Sequence, residues 1–192
     1  MKPIVILTGP TAVGKTELSI RLAKILDAEI ISADSMQVYK KMDIGTAKIM
    51  PEEMDGIPHH LIDVLEPWEE FNVTRFQAMA KEAMAGIYSR GHVPIVTGGT
   101  GFYIQALAYD IDFTENEDHS GIREELEQLA AERGEEHLHQ MLAQIDPESA
   151  RAIHANNVKR VIRAIEYYRL TGEKISEHNK REREKNSPYD LY

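Results

Sequence analysis

The chain opens on a continuous apolar run, Pro3 to Thr8, which stops at Gly9. An unbroken run of that kind predicts a strand buried on both faces, as in a parallel sheet. Leu18, Leu22, Ile25 and Leu26 then recur at helical spacing. "AEIISA", Ala28 to Ala33, predicts a second strand ending on Asp34, and "HLIDVL", His60 to Leu65, is a candidate third. Asn72 can cap a helix whose buried face is Phe76, Met79, Ala83 and Ile87, with Gly91 ending it. "VPIVT", Val93 to Thr97, predicts a fourth strand that runs into Gly98-Gly99-Thr100-Gly101. Strand and helix alternate, so residues 1 to about 110 read as a parallel α/β sheet flanked by helices.

After Asp112 the pattern changes. "DFTENEDHS" reads as a polar, acidic linker, and only helical spacing follows it. Ile122, Leu126 and Leu129 form one stripe closed by Gly134; Leu138, Leu142 and Ile145 form another. Asp146-Pro147 is a cap with proline at the first helical position. Asn157 starts a helix with Val158, Val161, Ile162, Ile165 and Tyr168 on one face and Gly172 just past its end. A last, mostly charged helix is expected over Lys174 to Lys185. The closing "SPYDLY" offers no obvious element.

The length of 192 residues suits one domain, or a core with a small insertion. With no cysteine, disulfides and thiolate metal sites are excluded. The first apolar run is too short for a signal-peptide core or a membrane span, so a cytoplasmic protein without membrane contact is expected. A net charge of −10 argues against wholesale nucleic-acid binding. The average conceals an asymmetry, because Asn157 to Lys185 carries nine Lys/Arg against five Glu. A local basic patch on an acidic chain is more informative than the total.

The strongest motif is Gly9-Pro10-Thr11-Ala12-Val13-Gly14-Lys15-Thr16, which fits the phosphate-loop pattern G-x-x-x-x-G-K-[ST]. Glycines let backbone N–H groups converge on anionic oxygens, and the following helix adds its positive end. Lys15 brings a charge, and Thr16 offers a hydroxyl to a phosphate-bound Mg²⁺. Asp34, at a strand's carboxyl end, can be a base or a metal holder, or simply a turn-forming Asp. Gly98 to Gly101 either admits a ligand closely or makes a tight turn. The carboxylate expected of a nucleotide hydrolase is poorly represented: "VPIVTGGT" ends without one, and Asp63 sits inside a strand pattern. Lys159, Arg160 and Arg163 crowd the first turns of their helix, against its dipole. A polyanionic partner favours that arrangement; the alternative is a solvated face with Glu166 as partner. The eight His show no metal spacing, and His59-His60 reads as a loop or strand start.

Taken together, "GPTAVGKTELSIRLA", "EIISADSMQVYKKMDIGTAK", "GIPHHLIDVLEP", "GGTGFYIQAL", "HANNVKRVIRAIE" and "TGEKIS" resemble the tRNA dimethylallyltransferase family across nearly the whole chain. The resemblance implies a P-loop NTPase-like parallel sheet flanked by helices, with an inserted all-helical domain. The core would span 1–112, the helical insertion that grips the anticodon stem-loop 113–185, and the return to the core 186–192. It implies transfer of a dimethylallyl group from dimethylallyl diphosphate to N6 of the adenosine 3′ of the anticodon, with Mg²⁺. The loop Gly9 to Thr16 would hold diphosphate rather than a nucleotide. Asp34 would be the general base, with Lys15 and Thr16 also catalytic. Ser35, Met36, Gln37, Val38, Thr100, Arg123 and Lys159, Arg160, Val161, Ile162 and Arg163 would meet tRNA. Met36 departs from the basic residue many members carry there. Family members run on past residue 192, so an incomplete copy is expected, lacking core strands and an Arg for the diphosphate. A monomer is expected. A small-molecule or nucleoside kinase and a non-catalytic tRNA-binding remnant are the alternatives.

Overall fold

The computed structural model describes residues 1–10, 12–113 and 121–192. Thr11 of the glycine-rich loop, and all but the first two residues of the acidic stretch expected as a linker, lie outside the described residues. Two compact units result: Met1–Phe113 with Asn186–Tyr192, and Thr114–Lys185.

The first unit contains β1 (Lys2–Thr8), α1 (Lys15–Leu26), β2 (Ala28–Ser32), β3 (His59–His60), α2 (Val73–Ser89), β4 (Val93–Gly98), α3 (Gly101–Ala108) and β5 (Tyr189–Leu191). Its strands pair in parallel in the order β3-β2-β4-β1-β5. Side chains alternate across this sheet. Ile4, Ile31 and Val96 join Phe76, Met84 and Ile87 of α2 and Leu107 of α3 on one face. Val5, Leu7, Ile30 and Ile95 join Ala23 of α1 on the other. Helices on both faces explain why β2 is buried along its whole length. Asn72 caps α2 through Oδ1, which accepts from the Arg75 N–H at 2.9 Å.

Three expectations need correction. The apolar stripe of α1 is only partly its inner face: Leu22 packs on the core with buried Ala23, and Ser19 is buried too, whereas Leu18, Leu26 and above all Ile25, 77% exposed, face outward. The run His60 to Leu65 is not a strand beyond its first residue. Leu61 and Asp63 adopt left-handed backbone (φ 63° and 53°), which ends the β2 ladder after His60; Leu65 makes only an isolated bridge to Tyr39. Conversely, "SPYDLY" does supply an element, because Lys2 to Ile4 pair with Tyr189 to Leu191.

At the amino end of β2 lies a buried acid. Glu29 accepts two hydrogen bonds from Arg90, at 2.8 Å each, and contacts His60 Nε2 (2.7 Å) and His92 Nδ1 (2.8 Å). The Arg90 hydrogen bond outweighs the opposing effect of burial, and the carboxyl is held down at about 2.

The second unit is helical: α4 (Ile122–Arg133), α5 (Glu135–Ile145), α6 (Pro147–Ala152), α7 (Val158–Thr171) and α8 (Ile175–Arg183). Leu126, Leu138, Leu142, Val161, Ile162 and Ile165 form its core. On α7 the aromatic that faces inward is Tyr167, not Tyr168, a displacement of one residue from the expected face. Asp146 is buried. It accepts from the N–H and hydroxyl of Ser149 and from the N–H and hydroxyl of Ser176, so one carboxylate caps α6 and fastens α8. Burial pushes this carboxyl up, but the four donors prevail and keep it below its ordinary value.

Candidate active site

Three loops meet at the carboxyl edge of the sheet, where open parallel sheets bind ligands. The first joins β1 to α1. Gly14 takes φ 85°, a left-handed conformation that glycine adopts without strain, and α1 begins at Lys15. The Lys15 ammonium donates to the carbonyls of Gly9 (2.8 Å) and Pro10 (2.6 Å) and so stays at the loop's mouth. Buried Ser19 braces the turn by donating to the Thr16 carbonyl at 2.8 Å.

The second loop follows β2. Asp34 Oδ1 accepts from the N–H groups of Met36 (2.8 Å) and Gln37 (3.2 Å). The turn-forming reading of Asp34 is therefore correct for one oxygen. Among the described residues the other oxygen has no hydrogen-bond partner, so the turn does not exclude a chemical role. Gln37 extends the scaffold: its side-chain oxygen accepts from Ser32 Oγ, and its amide nitrogen donates to the carbonyls of Thr46 and Ala47.

The third loop follows β4. A Cβ on Gly98 would lie 2.3 Å from the Ala33 carbonyl oxygen. Ala33 N–H donates to the Thr97 carbonyl at 2.7 Å, and Thr100 N–H to the Ala33 carbonyl at 3.3 Å. The close approach that Gly98 permits is thus to the protein's own backbone, directly before Asp34, rather than to a ligand.

Together these loops bound a cavity of about 240 Å³. Lys15, Thr16, Asp34 and Thr97 supply its polar wall; Ile30, Ala47, Ile49 and Ile62 supply apolar surface. His59 also faces it. His59 Nδ1 lies 2.8 Å from the Ile57 carbonyl, which can only accept, so Nδ1 carries the proton of the neutral ring. Nε2 is then a lone-pair acceptor, buried and, among the described residues, without a partner. Burial pushes the pKa of His59 down; the Ile57 carbonyl opposes this and His60 adds to it. The sequence marks His59-His60 only as a pair, and nothing in it distinguishes the ring that lines the cavity from the one bound to Glu29.

The residues considered for RNA contact fall into two groups. Met36 is exposed, Ser35, Gln37 and Thr100 are half-buried, and Lys159, Arg160 and Arg163 are exposed. Among the described residues no hydrogen bond or ion pair holds those three cations. Val38, Val161 and Ile162 are buried, so their side chains belong to the cores and only their backbone could meet a partner. Glu166 is not the partner of the α7 cations. It is buried and accepts from Arg123 at 2.7 Å.

A parallel sheet with a phosphate loop after β1, and a carboxylate just past the end of the strand next but one, defines a P-loop-type α/β protein. Residues 37–192 match the family model described as IPP transferase, and residues 2–66 match that of isopentenyl transferase. The chain belongs to the IPP transferase family. It is 64% identical over 189 residues to a tRNA dimethylallyltransferase of Lachnoclostridium phytofermentans, covering 98% of this chain and 60% of that protein. A tRNA dimethylallyltransferase of Bacillus velezensis is 58% identical over 93% of this chain and 57% of that protein. The chain thus spans about three-fifths of the length of these relatives. Among solved structures, a eukaryotic dimethylallyltransferase acting on tRNA matches with a TM-score of 0.82 at 34% identity, covering 100% of this chain and 47% of that one. A tRNA isopentenylpyrophosphate transferase from Bacillus halodurans matches with a TM-score of 0.63 at 46% identity, covering 100% and 58%. None of these relatives is named as a kinase.

Proposed function

We propose that this protein serves transfer of a dimethylallyl group from dimethylallyl diphosphate to N6 of the adenosine immediately 3′ of the anticodon in tRNA, as a cytoplasmic monomer. The observation that carries this reading is the cavity shared by Asp34 with Lys15 and Thr16. Prenyl transfer needs a base for the amine and a cradle for the leaving diphosphate, facing the same reacting carbon. The N6–carbon bond forms as the carbon–oxygen bond to diphosphate breaks. The amine proton passes to Asp34, whose other oxygen is fixed by two backbone N–H groups. Lys15 and the backbone N–H groups of the Gly9–Gly14 loop, Pro10 having none, meet the charge that grows on the diphosphate. The apolar surface of Ile30, Ile49 and Ile62 suits the hydrocarbon tail.

The residues present fit a Mg²⁺ ion. Among the described residues no cluster of three acids or histidines could cage a metal. Magnesium commonly uses one or two protein oxygens plus substrate phosphates, and the Thr16 hydroxyl lines the cavity beside the loop. When bound it would neutralise phosphate charge. The tRNA would be held by phosphate contacts from Lys159, Arg160 and Arg163 in the helical unit, with Arg123 oriented by Glu166. Ser35, Met36, Gln37 and Thr100 would lie nearer the unstacked base.

Incubation of labelled dimethylallyl diphosphate with an anticodon stem-loop tests this. Label is expected in RNA that carries adenosine at the target position. No incorporation, or equal incorporation when guanosine replaces it, defeats the proposal.

A further inference from the structure

One buried charge has no part in the chemistry above. The Lys48 side chain is 1% exposed, yet carries an ammonium. Burial lowers its pKa, but hydrogen bonds to Asp43 and Asp63 overcome this, and the net shift is upward, so it stays charged. Its three donors are all used: to the Tyr39 carbonyl (2.7 Å), Asp43 Oδ1 (2.8 Å) and Asp63 Oδ1. No proton remains for substrate. The ammonium is also absent from the cavity lining, while its neighbours on both sides, Ala47 and Ile49, belong to it.

What Lys48 joins is two loops with unusual backbone. Lys41 and Ala47 in one, and Leu61 and Asp63 in the other, all have φ between 47° and 64°. Non-glycine residues persist in that region only where their surroundings impose it. From Lys48 the connection to Asp34 is short. Ala47 and Thr46 present carbonyls to the Gln37 amide at 3.3 and 3.1 Å, and the Gln37 N–H is one of the two that hold Asp34 Oδ1.

We propose that Lys48 is a positioning residue: its ammonium clamps the 39–48 loop to the 61–65 segment, and through Thr46, Ala47 and Gln37 it fixes the cavity wall and the orientation of Asp34. This rests on the proposed reaction for its kinetic consequence, but the clamp can be read without it. The chain has no cysteine, so Lys48→Cys introduces a single one. Alkylation with 2-bromoethylamine in denaturant, then refolding, restores an ammonium of nearly lysine length at this position alone.

In Lys48→Met and Lys48→Cys, amide exchange at Met36 and Gln37 should accelerate roughly tenfold or more while β1 and β4 keep their protection. Turnover per folded molecule should fall about 10–100-fold, the scale of a misplaced catalytic group. Affinity for inorganic diphosphate should stay within about twofold, since the phosphate loop is built on β1 and α1. Aminoethylation should restore both exchange and turnover. Unchanged exchange at Met36 and Gln37 overturns the clamp. Faster exchange with unchanged turnover, or no rescue by the restored ammonium in a folded protein, overturns the positioning role. A wild-type protein that transfers no prenyl group defeats the proposed reaction, and the exchange measurement still decides the clamp.

Discussion

Replacing Glu29 by Gln should remove an acid-sensitive part of the sheet's stability. The carboxyl is almost wholly buried and is held at about 2 against an ordinary 4.5. A depressed folded-state value means that the ionised form stabilises the native state. That contribution is complete above the unfolded value of 4.5 and is lost as pH falls from 4.5 through 2. At about 1.4 kcal/mol per pH unit, the displacement amounts to ~3 kcal/mol. Breaking a buried ion pair by removing one partner costs a similar amount, about 3–5 kcal/mol. The wild type should therefore exceed Glu29→Gln by ~3 kcal/mol near neutral pH, and the gap should close by ~1.4 kcal/mol per unit below pH 4.5. The only tryptophan, Trp68, is 79% exposed and a poor reporter. Urea unfolding is better followed by amide exchange of β2 and β4 peptides, which report this unit alone. A gap that keeps its neutral size down to pH 2 would refute the linkage; no gap at any pH would mean that Arg90, His60 and His92 are satisfied equally by the amide.

Asp34→Ala should cost turnover ~10²–10⁴-fold while diphosphate affinity, by calorimetry, holds; loss of affinity with an unchanged rate would make Asp34 a ligand holder. Lys15→Ala should weaken both together. Gly98→Ala should destabilise the first unit by about 1–3 kcal/mol in urea unfolding, because its Cβ would meet the Ala33 carbonyl; an unperturbed variant would mean that the β2 and β4 ends can part freely. Arg160→Ala with Arg163→Ala should flatten the salt dependence of tRNA binding by roughly one to two units in the log–log slope. Parallel lines would assign these exposed arginines to solvation.

The sheet and helices were legible because their apolar runs and caps are local signals: Asn72, Asp146 and Gly172 mark the ends they were expected to mark. The errors have tertiary causes. In α1, Ser19 and Ala23 are buried because small side chains let the helix approach β2 and β4 closely, a feature that a hydrophobicity pattern cannot rank. β5 is three residues long and carries Asp190, so its sequence has no strand signature; its pairing depends on β1 being present. β3 is short because of dihedral angles at Leu61 and Asp63, which residue type does not announce. At the site, the phosphate loop and Asp34 could be named from motif and position. Lys48, His59 and the bracing role of Gln37 could not, because those roles depend on which atoms lie within about 3 Å across loops far apart in sequence.

Strand β1 has consequences for the order in which the molecule is made. Its two neighbours in the sheet are β4, some ninety residues later, and β5, at 189–191. The whole helical unit lies between those neighbours in the chain. Pairings at such separation close slowly, whereas α4 to α7 contact one another over short stretches of sequence. During synthesis the helical unit can therefore collapse while β1 still lacks one flank. The glycine-rich loop leaves the ribosome before β4 and β5, yet the strand that carries it is not flanked on both sides until both of them have followed.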